Sequence, residues 1–179
     1  MANNCYYALK AVANNEEALK RLVRIMKYED EEFFIYRCFQ AIEGEIKKED
    51  NGLFSIEIEG DVAWSCAKWF DHEEDKNELA ENNAHYITLD LLCKKFNIGI
   101  ELWSQVCGCE FQEHYVVNHK GEILIDDNVY WSLIYEDEEG NELDEPIENG
   151  GFEGWGKFDN ASAIHTGLIK WTIPENPER

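Results

Sequence analysis

The hydrophobic period changes from strand to helix and back within the first third of the chain, and that succession restricts the fold more than any other feature. Cys5 to Ala13, rich in Tyr, Leu and Val, reads as a strand. Asn14-Asn15 supplies a helix start, with Glu16 and Glu17 in the first turn, where acids suit the dipole. Over Glu16 to Tyr28 the apolar residues Leu19, Leu22, Val23 and Met26 form one buried stripe, and Lys20, Arg21, Arg24 and Lys27 fall on the other side. Phe33 to Ile42 has the aromatic and β-branched content of a strand, with a helix as the alternative for its later part. Asp50-Asn51-Gly52 is a turn, and Leu53 to Glu59 alternates with the period of a half-buried strand. Gly60-Asp61 is expected to break it, with Val62 to Cys66 beginning another short strand.

Asp71 to Glu81 is acidic and reads as a loop or an exposed helical turn. His85 to Phe96 carries Ile87, Leu91, Leu92 and Phe96 at helical spacing, with Asn97 and Gly99 placed to end the helix. Ile98 to Val106 and Glu110 to Asn118 are strands. Asn118-His119-Lys120-Gly121 turns the chain into Glu122 to Asp126, and Val129 to Tyr135 extends the meander. From Glu136 to Glu153 there are nine acids and no Lys or Arg. The glycine-rich Asn149 to Gly156 is expected to lack regular structure, Ala163 to Ile173 to form a last strand, and Pro174 to Arg179 a tail.

The order strand, helix, strand, strand, helix, strand predicts an α+β fold on the βαββαβ ferredoxin-like plan. Two helices cover one face of an antiparallel sheet, and extra strands and an acidic C-terminal appendage are added to it. The expected division is a ferredoxin-like domain over 1–135 and, over 136–179, an acidic loop and C-terminal strand extension packed on the same domain.

Charge narrows the function. With 16 Lys+Arg against 38 Asp+Glu the formal charge is −22, which repels phosphates, so direct duplex DNA binding is not expected and RNA contact would need a local basic patch. No apolar run is long enough to span a bilayer, and Met1 to Lys10 is too polar for a secretion signal. A cytoplasmic protein with reduced thiols and no membrane partner is the expectation. Of the six cysteines, Cys38, Cys66 and Cys93 sit in apolar runs as small core residues, and Cys5 opens the first strand. Cys107 and Cys109 form a C-x-C pair without the second half that a structural zinc site needs, so no metal or cofactor is assigned.

Three stretches resemble the YubB-type ferredoxin-like proteins found mainly in phages, plasmids and other mobile elements. Asn3-Asn4-Cys5 is similar to that family's Asn-Trp-Cys step, with Asn4 in place of the Trp. Trp64-Ser65-Cys66-Ala67-Lys68-Trp69 is similar to its Trp-Gly-Thr-Lys-Trp stretch, with one extra residue and no Gly. Tyr86 to Leu124, including Gly108, Phe111 and Gly121, resembles its helix, strand, turn and aromatic hairpin. The likeness covers roughly Asn3 to Tyr135. It implies the fold and a mobile-element origin, and carries no catalytic signature.

The residues themselves offer three candidate chemistries. Among the histidines at 72, 85, 114, 119 and 165, His114 with Glu110 is the weak acid-base candidate, since strand parity places Glu110 on the face of His114 and Glu113 on the other. No Ser/His/Asp set, phosphate loop or dinucleotide fingerprint stands out. Trp64, Lys68 and Trp69 combine aromatic faces with a cation and either stack bases or a partner, or pack the sheet against its helices. The Lys20, Arg21, Arg24 and Lys27 face either meets phosphates or is a solvated face satisfied by nearby acids.

The acid blocks Glu29, Asp30, Glu31 and Glu32, then Asp71, Glu73, Glu74 and Asp75, then Glu136, Asp137, Glu138 and Glu139, are the most unusual feature. Such blocks either confer solubility or bind calcium loosely, with no dedicated calcium loop in the sequence, or act as fixed carboxylate arrays that imitate a nucleic-acid backbone and occupy a basic channel. The leading expectation is a non-enzymatic mobile-element protein that inhibits a basic nucleic-acid-handling host machine, such as an anti-CRISPR protein acting on a CRISPR effector. The alternatives are an RNA-processing nuclease on the same scaffold, and a structural or replication-accessory protein.

Overall fold

The structure is a computed structural model that describes residues 4–72, 84–106, 111–130, 133–136, 142–143 and 152–155. It is α+β, with two helices and a mostly antiparallel sheet, compatible with the ferredoxin-like plan. The main sheet is centred on β1 (Asn4–Ala13), which pairs with β5 (Phe54–Ala63) on one side and β7 (Ile98–Val106) on the other. Beyond β5 lie β3 (Cys38–Glu43) and the short β4 (Lys47–Lys48); beyond β7 lie β8 (Phe111–Val117) and β9 (Ile123–Tyr130). All of these pairs are antiparallel.

Helix α1 (Glu16–Met26) starts where the Asn15 side chain accepts the Glu17 N–H at 2.8 Å, and it buries Leu19, Leu22, Ile25 and Met26. Helix α2 (Leu89–Phe96) ends at Asn97, whose φ of 57° lies in the left-handed region that Asn tolerates. Both helices cover the same sheet face: Tyr7, Leu9, Ala11, Ile56, Ile58, Ile100, Leu102 and Tyr115 pack with the helix residues in one core. Strand alternation sends Lys10, Glu57, Glu59, Asp61, Glu101, Trp103 and His114 to the opposite face.

Three segments differ from expectation. Phe33 to Ile42 is two strands, because the chain turns between them at Arg37 with φ 53°; β2 (Phe33–Phe34) pairs in parallel with β6 (His85–Tyr86), and only β3 joins the main sheet. Gly60 does not break β5. It lies beside a register shift in β3, where a Cβ would stand 1.8 Å from the Gln40 carbonyl oxygen, so glycine is what lets the two backbones approach. The strand expected from Val62 instead stops at Ala63, turns at Trp64, and continues as a 3-10 turn over Cys66–Phe70.

At the far edge, the turn at Asn118 to Gly121 closes as expected, with the Gly121 N–H on the Asn118 carbonyl at 2.9 Å and Gly121 at φ 80°. Of the two segments expected after it, Glu122 to Asp126 and the start of Val129 to Tyr135 run together as one strand, β9, while Leu133 to Tyr135 leave the meander for another sheet. A separate three-stranded sheet pairs β10 (Leu133–Glu136) with β11 (Glu142–Leu143) and β12 (Phe152–Trp155). The glycine-rich stretch thus contains a strand, because pairing with β10 satisfies its backbone hydrogen bonds. The strand expected over Ala163 to Ile173 lies outside the described residues. Among the described residues, no helix is long and apolar enough to cross a membrane.

Candidate functional site

The site is built at one end of β5. Parity places Glu57, Glu59 and Asp61 in a row on the face away from the helices, about 7 Å apart from each to the next. Glu57 and Glu59 are exposed and Asp61 is half-buried. Across the sheet their neighbours on β3 are Gln40, opposite Asp61, and Ile42, opposite Glu59 and exposed. On β1 they face Tyr6, Ala8 and Lys10, so Lys10 is the cation set against the row. The Tyr6 phenol is raised above its ordinary pKa by burial, then by its hydrogen bond with Glu59 and by the charges of Glu59 and Asp61. The β7–β8 half of the same face is closed to solvent: Glu101, Trp103, His114 and Val116 are all buried.

Large aromatic side chains stand beside the acid row. Phe39, in the β3 bulge next to the Gln40–Asp61 pair, is 60% exposed. Trp64, one residue past the end of β5, is 50% exposed with φ at 74°, and the Ser65 N–H donates to the Ala63 carbonyl across it at 3.0 Å. That is a γ-turn with positive φ, a strained form that costs ~1–3 kcal/mol for a bulky residue.

The strained turn is held from inside by Glu113, which is fully buried. Its carboxylate accepts the Cys66 N–H at 2.9 Å, the Ala67 N–H at 3.2 Å, the Ser104 hydroxyl at 2.5 Å, the Ser65 hydroxyl, and more weakly the Tyr115 hydroxyl at 3.4 Å. Burial first, then the neighbouring Cys5 and the Glu113 charge, push the Cys66 thiol well above its usual range. Cys66 is therefore a protonated thiol at neutral pH, unsuited to act as a nucleophile. A buried carboxylate saturated with donors positions a loop; it does not transfer protons to solvent.

The sequence-derived candidates divide clearly. His114 is buried, stacked on Trp103 with ring centroids 3.7 Å apart, and its Nε2 is 3.1 Å from Glu101; Glu110 lies outside the described residues. Trp69 belongs to the core, edge-on to Tyr7 at 4.9 Å, with its indole N–H donating to the Tyr36 carbonyl at 2.9 Å. Of the aromatic pair in that stretch, only Trp64 faces solvent. Lys68 pairs with Asp71 at 3.3 Å.

The basic helix face is largely neutralised: Lys20 pairs with Glu16 and Glu17, Arg21 with Asp30 and Glu32, and Lys27 with Glu43. Arg24 is exposed in the last turn. The first acid block is likewise not a free array. Asp30 is only 6% exposed; it accepts the Glu32 and Phe33 N–H groups at 3.0 Å each and the Arg21 guanidinium at 3.0 and 3.3 Å. Glu29 and Glu31 are exposed, and Glu32 also faces Lys95 at 3.7 Å. Glu73, Glu74, Asp75, Asp137, Glu138 and Glu139, with Cys107 and Cys109, lie outside the described residues, and Glu136 is placed only as the last residue of β10.

Two features escaped the sequence reading. The Glu57, Glu59, Asp61 row is implicit in the alternation of β5, but its acids are separated by Ile58 and Gly60 and form no contiguous block. The Glu113 network joins residues 47 positions apart through strand register, and no local spacing announces it. No family model matches this chain, and comparison with curated proteins and with solved structures finds no match.

Proposed function

We propose that the protein is a non-enzymatic binding protein whose open half-face, the Glu57, Glu59 and Asp61 row flanked by Phe39, Ile42 and Trp64, docks on a cationic surface of a nucleic-acid-handling protein. The observation that carries this reading is Trp64, a large aromatic held exposed in a strained turn at the end of an acidic strand. Strain of that kind persists only where surrounding structure over-determines it, as Glu113 does here. Interface energy concentrates in aromatic anchors, while surrounding charges steer approach and select the partner.

The occupant is a protein with a phosphate-binding groove, since carboxylates on a rigid strand present such a groove with the charge it is built to receive. A net charge of −22 adds long-range attraction to the same class of partner. Resemblance to mobile-element proteins directs the choice to a host defence machine, and a CRISPR effector is the concrete case. RNA binding on this half-face is opposed by its exposed carboxylates.

The test is binding to a Cas9-type effector, with and without guide RNA, at low and high salt. Wild-type protein is expected to bind, to weaken as salt screens the row, and to compete with nucleic acid. Trp64→Ala should lower affinity about thirtyfold, the ~2 kcal/mol of an aromatic anchor, with the fold unchanged by circular dichroism. Salt-independent binding unaffected by Trp64→Ala would contradict the reading.

A further inference from the structure

We infer that Cys5, Cys66 and Glu113 form a buried site for a single thiophilic divalent cation of the Zn²⁺ class. The three ligand atoms, two Sγ and one carboxylate oxygen, lie within 4.8 Å of one another, and all three residues have no exposed surface. They come from three separate elements: Cys5 from the start of β1, Cys66 from the first residue of the 3-10 turn, and Glu113 from β8. Tetrahedral zinc with ~2.3 Å bonds to sulfur and ~2.0–2.2 Å to oxygen needs ligand atoms roughly 3.5–3.8 Å apart. Contraction by about an ångström, within side-chain rotation, brings these three onto that geometry. Two sulfurs and one oxygen select zinc or its analogues over Mg²⁺ and Ca²⁺, which take oxygen alone.

Among the described residues, the hydrogen-bond partners of Glu113 are all neutral donors. Metal entry breaks two S–H bonds, forms two metal–sulfur bonds and one metal–oxygen bond, and releases two protons to solvent. To bind the metal the carboxylate gives up the weak Tyr115 contact and one serine hydroxyl donor, which rotates away, while the Cys66 and Ala67 N–H bonds keep it in orientation. The Ser104 hydroxyl donates to Glu113 at 2.5 Å and lies against the Cys66 thiol. Because Cys66 and Glu113 also hold the Trp64 turn, the bound ion would lock the exposed indole in place.

The test uses the full reduced chain, stripped with chelator and titrated with Co²⁺ and then Zn²⁺. One Co²⁺ per chain should produce thiolate-to-cobalt charge-transfer absorption, displaced by Zn²⁺. Apparent affinity should rise about a hundredfold per pH unit below thiol ionisation, reflecting two protons released. C5S/C66S should lose the absorption and at least a hundredfold in affinity, while Cys93→Ala, a buried thiol outside the cluster, should keep both. Absence of thiolate absorption in the wild-type chain overturns the inference without any variant. So does absorption that survives in C5S/C66S.

Discussion

At the residue scale, buried carboxylates perform two tasks and should fail differently. Glu113 accepts five neutral donors, and Glu113→Gln keeps the shape while turning its NH₂ toward the Cys66 or the Ala67 backbone N–H, which can only donate. The expected loss is about 2–4 kcal/mol in chemical denaturation, with Trp64 fluorescence shifting as its turn relaxes. Asp30 is balanced otherwise: burial would raise its pKa, but the Arg21 guanidinium and two backbone N–H groups outweigh it and hold the carboxyl below its ordinary value. A depressed folded-state pKa means stability that is present above the unfolded value, near 4, and lost as pH falls through the lower folded one. Asp30→Asn should therefore be destabilised at neutral pH and show a flatter decline than the wild type as pH falls below about 4, read from denaturation midpoints across the acid range.

At the element scale, segments with strong local periodicity were legible and those shaped by their neighbours were not. Helix α1, with its Asn15 cap, and strands β1, β7 and β8 follow from spacing alone, because each buries one face of a regular element. Asn15→Ala should cost about 1 kcal/mol, the ordinary worth of such a cap. Gly60 shows the reverse case. In the sequence it reads as a breaker, and only the β3 bulge across from it explains why the strand continues. Gly60→Ala forces a methyl group into the Gln40 carbonyl and against the Tyr7 hydroxyl that donates to it, so a loss of ~3 kcal/mol or more is expected in the denaturation midpoint. The division of Phe33 to Ile42 between two sheets was equally hidden, since both halves have the same strand-like composition. Of the site, the Trp64 stretch and the acidity were visible. Which tryptophan faces solvent, and that Glu113 supports it, depend on register across the sheet.

At the scale of the whole molecule, the question is whether negative charge is arranged or merely abundant. Much of the first acid block is spent on internal pairs with Arg21, while β5 carries a row on a rigid strand in the open half of the sheet. The most direct measurement compares two triple variants that each move the net charge from −22 to −19. E57Q/E59Q/D61N removes the row; E29Q/E31Q/E45Q removes three exposed acids elsewhere. Affinity for the guide-loaded Cas9-type effector at fixed salt should fall more than about tenfold in the first, ~1.4 kcal/mol or more, and change less than about twofold in the second. Equal losses in both variants, or none in the first, would contradict the account.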